Sequence, residues 1–113
     1  MSVQLCISFP GRETECIPVS GQRTFEDWLV GEVGKKHGFK FFAGPCPLFV
    51  WDNEHLEQAI AELMIVREEK RRQLEQYPDV SDEDKAYEVG NWDRIITRLK
   101  QLRDEAGWEA DFG

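Results

Sequence analysis

Five side chains in this sequence have the chemistry of a metal ligand or a nucleophile: Cys6, Cys16, Cys46, His37 and His55. None stands in the close pairs from which structural zinc sites are built. Cys46 lies in the turn-forming run Gly44-Pro45-Cys46-Pro47, and His55 follows nine residues later, so a Cys–His nucleophilic pair is conceivable. No orienting residue or oxyanion donor accompanies that pair, and the two prolines account for the loop as a rigid turn. The cysteines therefore read as three inert thiols. No catalytic residue, no metal site and no cofactor site is expected.

Carboxylates are the other abundant chemistry, with 22 Asp and Glu against 14 Lys and Arg and a formal net charge of −8. Residues 1–52 carry a net −1 and residues 53–113 a net −7. The acidity is concentrated at Asp79, Asp82, Glu83, Asp84 and Glu88. Such a surface repels nucleic acid phosphates and anionic membranes, and it suits a basic protein groove.

The elements that position those carboxylates are two helices. Asp52 precedes a run in which Leu56, Ala59, Ile60, Leu63 and Val66 recur at spacings of three and four, which predicts a helix over 53 to about 76. Glu62, Arg67 and Glu69 fall on its polar side. Pro78 ends the run, since it has no amide proton and disfavours helical geometry at Tyr77. Ser81 and Asp84 then resemble a capping box, and Ala86, Val89, Trp92, Ile96, Leu99, Leu102 and Ala106 form a second stripe that Gly107 closes. Gly90 is the weak point of that helix. Folding about Asp79 places Leu63 near Ile96 and Ile60 near Leu99, with an apolar base and a polar tip that projects into solvent.

Residues 1–51 read as a β-rich platform. Val3, Leu5, Ile7 and Phe9 alternate with Gln4, Cys6 and Ser8, and 13–19 is the returning strand, which sets Cys6 opposite Cys16. Thr24 and Asp27 start a short helix with Phe25, Trp28, Leu29 and Val33 on one side and Gly38 at its end. The segments 39–43 and 48–51 predict a second strand pair, apolar on both faces through Phe39, Phe41, Phe42, Phe49 and Trp51. Trp108 is expected to fold back on the last helical turn, ahead of a short tail over 108–113.

The chain thus reads as a single α+β domain: about four short antiparallel strands in ββαββ order, followed by a long antiparallel αα-hairpin over 52–107. With 41% hydrophobic residues it can build a core, and no run approaches the ~18 apolar residues of a membrane span. The expectation is a small cytoplasmic binding or regulatory protein of the inhibitor, immunity-type or mobile-element accessory kind. It would dock Asp79, Asp82, Glu83, Asp84 and Glu88 on a basic protein partner. A homodimer or larger assembly through Phe39, Phe41, Phe42, Phe49 and Trp51 is the alternative, and a Cys46/His55 enzyme the third reading. Direct contact with nucleic acid or membrane is not expected.

Overall fold

The computed structural model describes residues 2–42 and 50–113 of the chain. Strands β1 (Ser2–Ser8) and β2 (Glu15–Gly21) pair antiparallel, with Val3, Leu5 and Ile7 buried on one face as their alternation requires. Cys6 is registered against Cys16, their Cα atoms 4.1 Å apart, and the two are joined by a disulfide. This corrects the reading of three inert thiols. Residues of like parity on paired strands share a face, so the same alternation that builds the core brings these two sulfurs together on the opposite side.

A helix follows, which opens with an unusually wide π-helical segment, Thr24–Val33, and closes with the α-turn Gly34–His37; together these form α1. The side-chain cap expected at Thr24 is not used, since Arg23 flanks the helix in helical geometry. Phe25, Leu29 and Val33 are buried, whereas Trp28 is half-exposed. The amide of Gly34 bonds back five residues to the carbonyl of Leu29. A Cβ on Gly34 would stand 3.1 Å from that carbonyl oxygen and 3.2 Å from the Phe42 carbonyl, so glycine lets the helix close on the next segment.

That segment, 39–42, is a turn and not the expected strand. Its backbone amides have a different partner: Lys40, Phe41 and Phe42 donate to the carboxylate of Glu62 at 3.0, 3.0 and 2.9 Å. Amides committed to one carboxylate cannot pair with a neighbouring strand. Glu62, which falls on the polar side of its helix by spacing, is only 2% exposed. Of the predicted partner strand over 48–51, residues 48 and 49, and the whole Gly44-Pro45-Cys46-Pro47 turn, lie outside the described residues, while Val50 is exposed and not in a strand. Trp51 makes an isolated bridge to Ala110.

The hairpin is present, but its second helix stops at Gln101 and passes into a 3-10 turn, Leu102–Asp104, so Gly107 does not cap it and Ala106 is exposed beyond it. A 3-10 turn, Asn53–His55, capped by the Asp52 side chain, leads into α2 (Leu56–Glu75), and α3 (Asp82–Gln101) continues unbroken through Gly90. Leu56, Ala59, Ile60, Leu63 and Val66 of α2 face Trp92, Ile95, Ile96 and Leu99 of α3, all of them buried. Salt bridges Arg67–Asp93 and Lys70–Glu88 span the hairpin in the same register.

The presumed tail is instead the third strand, β3 (Glu109–Phe112), which pairs antiparallel with β1, so the described sheet has the order β2-β1-β3. Gly107, with φ 77°, makes the reversal, and a Cβ there would crowd Pro10 at 3.1 Å. Trp108 does fold back, donating from Nε1 to the Leu102 carbonyl. Phe112 then enters an aromatic cluster with Phe25, Phe42 and Trp51 at centroid distances of 5.4 to 6.0 Å. The architecture is therefore α+β, with three described strands in place of four and the last of them after the hairpin.

Two substitutions test this packing. Glu62→Leu leaves the buried amides of Phe41 and Phe42 without an acceptor and should lower unfolding free energy by about 2–5 kcal/mol, with Glu62→Gln, which keeps one acceptor oxygen, losing less. Equal stability of all three proteins in urea unfolding would remove Glu62 from its organising role. Gly90→Ala should stabilise by about 1 kcal/mol, because the helix is continuous there and nothing lies within 4 Å of the added methyl.

Candidate functional site

The far end of the hairpin is set by local chemistry. Beyond Glu75 the chain turns through Gln76 and Tyr77, whose amides bond to Gln73 and Leu74, and the Val80 amide returns to the Tyr77 carbonyl. Ser81 caps α3, its Oγ accepting from the Asp84 amide at 3.1 Å. Asp82, Glu83 and Asp84 occupy the first turn, where exposed amides and the helix dipole favour negative charge.

Asp79, Asp82, Glu83, Asp84 and Glu88 are all exposed, and the structure brings them together at this end. Among the described residues, the first four have no ion-pair partner, whereas Glu88 lies 4.0 Å from Lys70 Nζ and is partly engaged within the hairpin. Two aromatic rings flank the carboxylates: Tyr77 is 53% exposed and Tyr87 is 68% exposed. Neither tyrosine was singled out by spacing, since a lone aromatic in a polar run has no periodicity to mark it. Their proximity to Pro78 and to the acidic turn is the signal that was there to use.

The other residues weighed from sequence are placed differently. Phe39, Phe41, Phe42 and Trp51 are buried in the chain's own core, with Phe41 against Phe42 and Trp51 at 4.7 and 5.0 Å, so they offer no open face to a second copy. Phe49 and Cys46 lie outside the described residues. His55 is exposed, its ring 6.1 Å from that of Phe41. His37 lies with Nε2 2.8 Å from Glu69 Oε1.

Midway along the hairpin the charges are internally matched. Glu69 is met by His37, by Lys36 at 3.1 Å and by Arg72 at 3.9 Å, and the hydrogen bonds from His37 and Lys36 hold its carboxyl below the usual glutamate range. Lys70 lies over the Trp28 ring, its Nζ 4.4 Å from the centroid, and burial lowers its pKa. A hollow beside His37, lined by Met64, Ile65, Arg67, Glu68, Glu69 and Arg72, has two arginines against two glutamates and no net preference for either sign.

No protein-family model, curated protein or solved structure matches this chain. Among the described residues, no helix is long and apolar enough to cross a membrane, and no three His, Cys, Asp or Glu side chains are grouped to hold a metal ion.

Glu69 gives a pH dependence whose sign follows from its lowered folded pKa. Its contribution to stability is fully present above the ordinary value of 4.5 and is lost as pH falls through the lower folded value. Thermal unfolding followed from pH 7 to pH 3 should show a decline confined to the acid limb, and Glu69→Gln should flatten it. An equally steep acid limb in that variant would show that other carboxylates carry the effect.

Proposed function

We propose that this is a small acidic binding protein that acts without catalysis, docking the tip of its helical hairpin on a basic surface of a protein partner. The observation that carries this reading is the set Asp79, Asp82, Glu83 and Asp84. These four exposed carboxylates lie together at the turn of the hairpin without an internal cation among the described residues. By contrast, Glu57, Glu69 and Glu105 each hold an arginine, lysine or histidine within the chain.

Unmatched charge supports the proposal through long-range attraction, which accelerates encounter, and through complementarity that excludes acidic competitors. Tyr77 and Tyr87 supply apolar area with a polar edge, a combination enriched where protein interfaces concentrate binding energy. The hairpin also gives reach: the molecule is 47 Å along its longest axis and under 30 Å across the other two. Within this reading the partner is regulated by occupation of its basic groove, as an inhibitor or accessory protein would do.

The test is capture of partners from host lysate by the wild-type chain, by a variant with Asp79, Asp82, Glu83 and Asp84 changed to lysine, and by a control with Asp27, Glu32, Asp104 and Glu109 changed to lysine. The two variants have the same net charge. Both variants should remain folded, the tip variant losing about 0.3–1 kcal/mol for each of Asp82, Glu83 and Asp84 that it removes from the first turn of α3, and the control losing little. A partner retained by wild type and by the control, released by about 0.5 M salt and lost with the reversed tip, is the expected result. Equal loss in both variants, or none in either, would remove the tip as the docking site.

A further inference from the structure

The disulfide lies on the side of the sheet away from the core. Cys16 is exposed on the outer strand β2, whereas Cys6 is half-buried on the central strand β1 with Asp111 in the paired position of β3. The ladder between β1 and β2 is weak at its far end: Pro18, opposite Gln4, has no amide proton, and the register shifts between Val3 and Gln4. At its near end β2 is clamped from outside the sheet. Glu15 accepts from Arg98 Nε of α3 at 2.7 Å, Arg98 also bonds Glu105 at 3.0 Å, and Glu105 holds Arg12 of the β1–β2 turn at 3.1 Å. Between the clamp and the weak end, the Cys6–Cys16 bond is the covalent attachment of β2 to β1.

We propose that this disulfide is a thiol-exchange site whose opening loosens β2 between the Glu15 clamp and Val19, which stays buried in the packed core. The reductant is an external thiol of the glutathione class. Its thiolate bonds to Cys16 Sγ, the more accessible sulfur; the Cys6–Cys16 bond breaks, and Cys6 leaves as a thiolate that takes a proton from water. A second thiol attacks the mixed disulfide, leaving Cys16 as a thiol and releasing the oxidised reductant, so two thiols supply the two electrons. The buried face, with Val3, Leu5 and Ile7, contains neither sulfur and has no part in the exchange. The Asp111 carboxylate opposes negative charge on the departing Cys6 sulfur and so slows the first step.

The experiment treats the oxidised chain with glutathione in native buffer, quenches with acid, maps the adduct by peptide mass spectrometry and follows amide hydrogen exchange. Expected are a glutathione adduct on Cys16, β2 amides that exchange at least about tenfold faster after reduction, and α2 amides that do not change. Asp111→Asn should accelerate opening severalfold. The double variant Cys6→Ala/Cys16→Ala should fold and show the fast β2 exchange with no thiol present. The proposal is overturned by a bond that opens only in unfolding denaturant, by an adduct on Cys6, by unchanged β2 exchange, by an unchanged rate in Asp111→Asn, or by a double variant that cannot fold.

Discussion

The carboxylate of Glu62, buried among the amides of Lys40, Phe41 and Phe42, is the contact on which the arrangement of the chain depends. A buried carboxylate is costly unless donors surround it, and three consecutive amides form a concave set of donors that suits one anion. Gln58, one helical turn earlier, adds a fourth donor from its side chain. With the Phe39 amide bonded to the Gly34 carbonyl, the 39–42 turn is fastened at one end to α1 and along its length to α2. This orients Phe39, Phe41 and Phe42 into the core, where Phe42 meets Phe25, Phe41 and Phe112. Helix, hairpin and sheet are thereby packed around one polar contact inside an apolar cluster.

The distribution of charge follows from the same economy of partners. Near the base of the hairpin and along its middle, carboxylates are matched: Glu57 with Arg103, Asp93 with Arg67, Glu69 with Lys36 and His37. Such pairs are worth little individually in water, yet each satisfies its carboxylate within the chain. At the tip the acidic residues serve the start of α3, and beyond that role they remain without cations among the described residues. Local helix chemistry and a partner-facing role are compatible there, because a first-turn carboxylate stabilises its helix through the dipole while its outer oxygens stay in water. The aromatic residues divide in the same way: among the described residues, six phenylalanines and three tryptophans are buried, Trp28 is half-buried, and Tyr77 and Tyr87 are left outside.

Much of the fold was legible from periodicity. The stripes Leu56, Ala59, Ile60, Leu63, Val66 and Trp92, Ile96, Leu99, Leu102 became the buried faces of the hairpin, whereas Ala86 and Ala106 of the second stripe are exposed and Val89 is half-buried; the alternation from Val3 to Phe9 became the core face of β1. Ile95 escaped the second stripe because adjacent residues can both be buried where a helix is covered on two sides. The candidate site was legible as a cluster of carboxylates after Pro78, though not its tyrosines. Two errors share a cause. Residues 39–42 looked like a strand because three of four are aromatic, and 109–112 looked like a tail because it is short and follows a glycine. Strand or turn in such short segments is decided by where the amides find acceptors, and a neighbouring carboxylate or a free strand edge is supplied only by residues distant in sequence.

What the sequence determined by itself is therefore what local interactions dictate: two amphipathic helices joined at a proline-containing turn, a β-hairpin with Cys6 opposite Cys16, and acidity gathered at one end. Tertiary structure alone decided that Glu62 is buried, that β3 completes the sheet beside β1, that the two opposed sulfurs are bonded, and that Phe39, Phe41, Phe42 and Trp51 belong to one molecule's core. The physical reason is range. Helix periodicity, caps and turns are set by residues within a few positions of each other, whereas the fate of a buried charge or an unpaired strand edge depends on groups brought near only by folding.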